Sequence, residues 1–514
     1  MQPTNTPFSP WRRLAVIALT LAAMLSSGVS HAKGKSYAWV AAWPSRAAGK
    51  LAPGVLRAAI KTVGRQQVAK WLVKTPSGRL RFPAKRELPK KIIKKAVAEI
   101  GMQAVALSHD KVNAFKRDYR VEVPLAKSRK TSANQAASGR CWDFAGTLTL
   151  ESIVKAKQGK DVKLSESFIN YQALRRMAFG VLAEAVKKQP HKKRTGIEQL
   201  ANSKELHGIR AVQKISEGGF AGWYYPLVRD HGLIPESAYG SNMPANHSSD
   251  YLGRVRNVVA NALISIEGTK SKSERTKIHQ QARKDVLSQL NMALGKPPKQ
   301  FVVDGKRYTP QTYRKRYLQL QDADLDIVVL ANDPITAFNR RYVVDGFPGM
   351  PEFEVHNVSM ATINNAAKKT LRAGQAIYFS SIVSPGNPHV AGQRPSDPRA
   401  AKGLLSVSAF DYSFMQPEGA RELGKRNRQK AGELRANHAM TLVGYNTKGG
   451  LRWLVQNSYG DKYGDHGRMH MQQDFFQYYG SSVAVPRAFV PEKILMKSLE
   501  RPLLNTKRGR QVDL

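Results

Sequence analysis

The sequence predicts an α+β chain in which a helical half precedes a β-rich half, and two textures along it carry that prediction. From about residue 116 to residue 300 apolar positions recur at helical spacing, whereas beyond Pro297-Pro298 short β-type runs alternate with turn signals. Size is the third observation: 514 residues, 42% of them apolar, are ample for two domains with buried cores. Cys141 is the one cysteine in the chain, so no internal disulfide assists those cores.

Arg12 and Arg13 precede the apolar run Leu14 to Leu25, and Ser30-His31-Ala32 offers a small-residue cleavage site. Residues 1–32 therefore read as a secretory signal peptide cleaved near Ala32, too short in its apolar run to span a bilayer. The expectation is an exported chain, periplasmic or secreted, with no transmembrane segment after signal removal. Residues 33–115 are basic, with helical patterns at Val55 to Ile60 and Ile92 to Ile100 broken by Pro53, Pro76, Pro83 and Pro89. They form either the start of the mature fold or a removable pro-segment.

Residues 116–240 read as a helical domain. Cys141 follows the turn Ser138-Gly139 and opens a helical run from Trp142 to Val154. Free N–H groups and the helix dipole at such a start favour a thiolate, which suits a nucleophile. Taken alone, a single cysteine is more often a small buried hydrophobe. Ser165 or Ser167 caps the next helix, which reaches Val186. In Ser216-Glu217-Gly218-Gly219-Phe220 the adjacent glycines permit close approach of another backbone. Tyr224 to His231 is helical and ends at Gly232-Leu233-Ile234-Pro235.

A helical insertion is predicted over residues 241–350, with Val255, Val258, Val259, Ala262 and Leu263 on its apolar face, followed by a charged helix through Leu287 and Leu290. β-runs are expected at Asp326 to Leu330, Gln375 to Phe379, Met440 to Tyr445 and Trp453 to Asn457, with a helix near Ile363 to Leu371. Residues 351–495 thus form a β-rich domain, and residues 496–514 a polar tail.

The 82 Lys and Arg against 38 Asp and Glu give a formal charge of +44, a field that attracts polyanions without specificity. Basic clusters at Lys85 to Lys95, Lys187 to Arg194, Lys270 to Lys284 and Lys425 to Lys430 lack interleaved aromatics, zinc-finger spacing or a recognition helix. Specific nucleic-acid recognition therefore has little support. His466 and His470 have no acidic or cysteine partner at ligand spacing, so no metal is expected. Neither a Gly-x-Ser-x-Gly elbow nor a phosphate-binding glycine loop is present.

A cysteine nucleophile needs a base, a group that orients the base, and donors for the oxyanion. His438 opens one β-run and Asn457 ends the next, with the turn Gly449-Gly450 between them. Antiparallel strands so joined bring the two ends together, so that the amide oxygen can accept from one imidazole nitrogen while the other faces a thiol. Separately, each residue has a plainer reading: a satisfied histidine, a turn asparagine and, at Gln135, a solvated loop side chain.

Together they resemble the papain-like cysteine peptidases, and within these the branch typified by bleomycin hydrolase and bacterial aminopeptidase C. The resemblance lies in Asn134-Gln135, Ser138-Gly139-Arg140-Cys141-Trp142, Leu164-Ser165-Glu166-Ser167, Glu217-Gly218-Gly219, Asn332-Asp333-Pro334, His438-Ala439-Met440-Thr441, Asn457-Ser458-Tyr459-Gly460 and Phe489 to Leu495. It covers roughly residues 120 to 500. It implies a two-domain papain-like fold, one domain helical and one β-barrel-like, and hydrolysis of peptide bonds through an acyl-thiol intermediate without a cofactor. Cys141 would be the nucleophile, His438 its base, Asn457 the orienter and Gln135 an oxyanion donor beside the Cys141 N–H. Gly218, Gly219, Trp142 and Tyr459 would bind substrate, Tyr459 standing where the family has a tryptophan over the asparagine. In that branch the chain's own C-terminus restricts action to the amino end of peptides, often within a hexameric ring, so a homo-oligomer is implied; endopeptidase action stays open. Asp143, where relatives carry an uncharged residue, would disfavour a neighbouring thiolate. The competing reading is a non-catalytic papain-like scaffold that binds acidic polymers through its basic surface.

Overall fold

A computed structural model describes residues 73–74, 80–81, 89–129, 131–187, 212–344, 347–383, 390–391, 403–415, 436–496 and 499–500. The chain forms two compact units, Met1–Ala114 with Ala409–Gly419, and Phe115–Ser408 with Ala420–Leu514. In the first, the helix Lys90–Ile100 buries Ile92, Ile93 and Ala96, the three- and four-residue spacing of one helical face. Gly101, at φ +80°, ends it, and Leu107 bridges to Phe410. The Val55 to Ile60 run and the signal-like segment lie outside the described residues.

The second unit is built around helix α1, Cys141–Gln158, stopped by Gly159 in the left-handed conformation. Nearly every side chain from Trp142 to Val154 is buried, polar ones included, as befits a helix packed on both sides. Helices α2 (Glu166–Lys187) and α3 (Ala221–His231) lie against one side. The N-cap of α2 is Ser165, whose Oγ accepts from the Phe168 N–H at 3.1 Å. Gly232, at φ +76°, closes α3. Helices α4 (Ser249–Glu267) and α5 (Lys272–Leu294) pack on each other and on α2, and α4 buries Val255, Val259, Ala262 and Leu263.

On the other side of α1 stands a 12-stranded mixed sheet. Its strands include β1 (Val121–Glu122), β2 (Ile327–Ala331), β3 (Arg340–Val344), β4 (Phe353–Asn357), β5 (Ile377–Ser381), β6 (His438–Asn446), β7 (Arg452–Gln456), β8 (Arg468–Gln472) and β9 (Gly480–Pro486). Along the sheet the order is β8, β7, β6, β5, β9, β2, β4, β3, and β1 pairs with β6. Helix formation within 241–350 is narrower than the sequence suggests. Beyond α5 come a hairpin at Phe301–Tyr308 and then β2 and β3, which belong to the sheet. The run Ile327-Val328-Val329-Leu330 is β-branched and largely buried, and it pairs on both edges, with β9 and β4.

Strands β6 and β7 pair antiparallel through Thr441↔Gln456 and Leu442↔Val455, with a bulge before Gly444. A Cβ at Gly444 would meet the Val121 carbonyl at 2.6 Å, so glycine is what admits β1 there. Gly449 and Gly450, at φ +76° and +107°, make the turn. One apolar core lies among the helices and a second between the sheet and the helix Met360–Arg372. Among the described residues no helix is long and apolar enough to cross a membrane.

Gly146 sets how closely α3 approaches α1: a Cβ there would lie 2.5 Å from the buried Tyr224 ring, whose hydroxyl pairs with Thr147 Oγ1 at 3.0 Å. Gly146→Ala should destabilise the protein by about 1–3 kcal/mol through overpacking, measured by thermal or denaturant unfolding. An unchanged midpoint would contradict this packing.

Candidate active site

Cys141 is the first residue of α1 and is partly exposed. Arg140 supplies no side-chain cap; its carbonyl accepts from the Asp143 and Phe144 N–H groups and so starts the helix. Burial pushes the thiol's pKa up. The N–H groups of Ala439, Trp142 and Cys141 itself oppose that shift. Ala439 directly follows His438, so the thiol lies against the start of β6.

His438, the first residue of β6, is buried, and its Nε2 lies 2.7 Å from Asn457 Oδ1. The Ser458 N–H donates to the same Oδ1 at 2.8 Å. Turning the amide over would set its NH₂ against that N–H, so the oxygen is the atom facing the imidazole. Nε2 therefore carries the hydrogen and Nδ1 is the bare, basic nitrogen. Burial lowers the His438 pKa to about 4, against the opposing effect of the hydrogen bond that Nε2–H donates to Asn457, so the ring is neutral at neutral pH. Tyr459 stacks on this ring with centroids 4.5 Å apart and planes at 23°. The aromatic cover expected over Asn457 thus lies on the imidazole.

Gln135 is buried on the same loop system. Its N–H donates to the Ser458 carbonyl at 2.8 Å, and its Oε1 accepts from Ser458 Oγ at 2.6 Å, which fixes the orientation of the amide. Nε2 donates to the Ser138 carbonyl at 2.7 Å. One amide hydrogen is therefore spent within the loop, which leaves one for an oxyanion. Ser458 holds both Asn457 and Gln135. The sequence reading missed this, because a serine after an asparagine carries only a turn signal.

Trp142 was expected to touch substrate, but it is fully buried. Its indole N–H donates to the Glu217 carbonyl, and a Cβ on Gly219 would meet the indole at 2.5 Å. The ring supports the Gly218-Gly219 segment from beneath, because its bulk fills the core between α1 and α3. Gly218 has open space where a Cβ would be, with Ser216 Oγ nearest at 3.7 Å.

Asp143 is fully buried, and among the described residues neither carboxyl oxygen has a hydrogen-bond partner. Burial, with Glu166 and Glu217 nearby, pushes its pKa well above the ordinary carboxylate range despite Arg140. The shift favours the neutral acid over the carboxylate and so weakens the negative charge expected beside the thiol. Arg140, also fully buried, is held by Ser138, Ser167 and Ser241 hydroxyls and by Asn246. His470 is engaged by Tyr119 at 2.8 Å and Asp465 at 3.0 Å, a structural tie within the β-rich part.

Comparison with known proteins agrees with this geometry. Residues 79–506 match the Peptidase C1-like family. Aminopeptidase W of Lactobacillus delbrueckii subsp. lactis is 27% identical over 439 residues, covering 80% of this chain and 92% of that protein. Bleomycin hydrolase of Rattus norvegicus is 22% identical over 409 residues, covering 73% and 84%. Aminopeptidase C of Streptococcus thermophilus is 25% identical over 402 residues, with the same coverage of 73% and 84%. In three dimensions the chain is similar to the crystal structure of PepW from Lactobacillus rhamnosis HN001, with TM-score 0.67, 21% identity and coverage of 85% and 96%. The chain belongs to the Peptidase C1-like family, in the papain-like branch of the aminopeptidases C and W and bleomycin hydrolase, and is a cysteine peptidase.

Proposed function

We propose that this cysteine peptidase trims residues from the amino end of peptides, that Cys141, His438, Asn457 and Gln135 carry the reaction, and that it acts outside the cytoplasm. The observation that supports the assignment most is the 2.7 Å pairing of His438 with Asn457 while the thiol lies beside Ala439. His438 Nδ1 takes the thiol proton as the sulfur attacks the carbonyl carbon. The tetrahedral oxyanion is held by the Cys141 N–H and the remaining Gln135 amide hydrogen. His438 then returns its proton to the departing amine, and the thioester remains on Cys141. Water attacks that thioester, His438 takes the water's proton, and the acid product leaves as the thiol is restored. No cofactor enters any step. Gly218, with its open side, offers main-chain pairing to an extended substrate.

Action at the amino end is supported by the aminopeptidase relatives, and export by the signal pattern at residues 1–32. The +44 charge gives the chain a non-specific attraction for polyanions in that setting. No observation of the site favours the non-catalytic scaffold.

Peptides with free and with acylated amino ends test the specificity: the free series should be cut and the blocked series should resist. Equal cleavage of both would overturn amino-end trimming, and undiminished cleavage by Cys141→Ala would overturn the nucleophile assignment.

Asp143 yields a pH prediction. Its folded pKa lies above the unfolded value, so the native state binds the extra proton and this group's contribution to stability falls as pH rises above about 4. Asp143→Asn should therefore raise the melting temperature more at pH 8 than at pH 4, read by thermal unfolding at both. An equal shift at the two pH values would contradict a raised Asp143 pKa.

A further inference from the structure

Glu217 is nearly fully buried, and its carboxylate gathers donors from three separate elements. Oε2 accepts from the Gly139 N–H at 2.9 Å, in the turn leading to the nucleophile. Oε1 accepts from Asn170 Nδ2 of α2 at 3.1 Å and from the Tyr251 hydroxyl of α4. Its carbonyl accepts from the Trp142 indole. The backbones pack back to back at this point: a Cβ on Gly139 would meet Glu217 Cβ at 3.2 Å and the Gly218 nitrogen at 3.6 Å.

The next two residues are Gly218 and Gly219, the segment proposed above to offer main-chain groups to substrate. On the far side of Gly139, two residues on, comes Cys141. One carboxylate thus ties the turn that presents the oxyanion donors to the segment that would hold the substrate backbone.

Resting on the peptidase reading above, we infer that Glu217 is a positioning residue: its carboxylate sets the placement of the oxyanion donors relative to the Gly218-Gly219 segment. Its chemistry suits the task. A carboxylate is acceptor-only and satisfies all three donors at once, whereas a carboxamide presents an NH₂ to one side. Aspartate is one methylene shorter and cannot reach Gly139 and the Asn170–Tyr251 pair together.

The test compares the full-length wild type with Glu217→Gln and Glu217→Asp. Three quantities are measured: peptide hydrolysis, affinity for a peptidyl aldehyde that forms a tetrahedral adduct, and the rate of thiol alkylation by iodoacetamide, which uses no oxyanion donors. Both variants should lose about 10- to 100-fold in kcat, with a parallel loss of aldehyde affinity and alkylation within about threefold of wild type. Wild-type kcat and aldehyde affinity in both variants would overturn the inference. So would equal losses in hydrolysis, aldehyde affinity and alkylation alongside a large fall in melting temperature, the signature of a merely structural residue. A wild type that neither hydrolyses peptides nor binds the aldehyde would overturn the peptidase assignment itself, an outcome distinct from the first two.

Discussion

The register between β6 and β7 is the constraint on which the site depends. His438 is the first residue of one strand and Asn457 follows the last residue of the other, so pairing through Thr441 and Gln456 brings the two together at 2.7 Å. A shift by one residue would turn each side chain to the opposite face of the sheet. Two features hold the register: the Gly449-Gly450 turn, and the buried apolar residues of both strands, whose displacement would open the sheet core. Ser458 then extends the constraint from the imidazole to the nucleophile loop, with its N–H on Asn457 and its hydroxyl on Gln135.

The other half of the site is governed by buried charge. Arg140 directly precedes Cys141, Glu217 accepts from the Gly139 N–H in the same turn, and Asp143, two residues on, is buried without a hydrogen-bond partner among the described residues. Burying three ionised groups there would be costly. The protein meets that constraint by shifting Asp143 toward its neutral acid form, its pKa raised well above the ordinary carboxylate range by burial. The thiol faces helix N–H groups and the Ala439 N–H, which oppose the upward push on its pKa from burial and, to a smaller extent, from Asp143.

Much of this was legible in the sequence because it rests on local rules. The start of α1 at Cys141, the cap at Ser165 and the strand termini at His438 and Asn457 all follow from turn residues and apolar periodicity. The extent of the helical insertion was less legible. A short β-branched run such as Ile327 to Leu330 has no alternation when both faces are buried, and its partners β9 and β4 are distant in sequence. Trp142 was misjudged for a related reason: position beside a nucleophile does not reveal which way an indole points. The ties of Glu217 to Gly139 and of Ser458 to Gln135 were invisible, since each joins residues more than 70 positions apart through polar atoms that carry no periodic signal.

The central claim is that the lone thiol, set at the start of α1 against the His438–Asn457 pair, is the atom that attacks the peptide. The most direct measurement is to treat folded full-length protein with a thiol-directed peptidyl epoxide, locate the adduct by mass spectrometry and follow hydrolysis in the same sample. The account predicts a single adduct on Cys141 and a loss of hydrolysis in proportion to its formation. Undiminished hydrolysis by fully modified protein, or an active protein in which Cys141 stays unmodified, would contradict it.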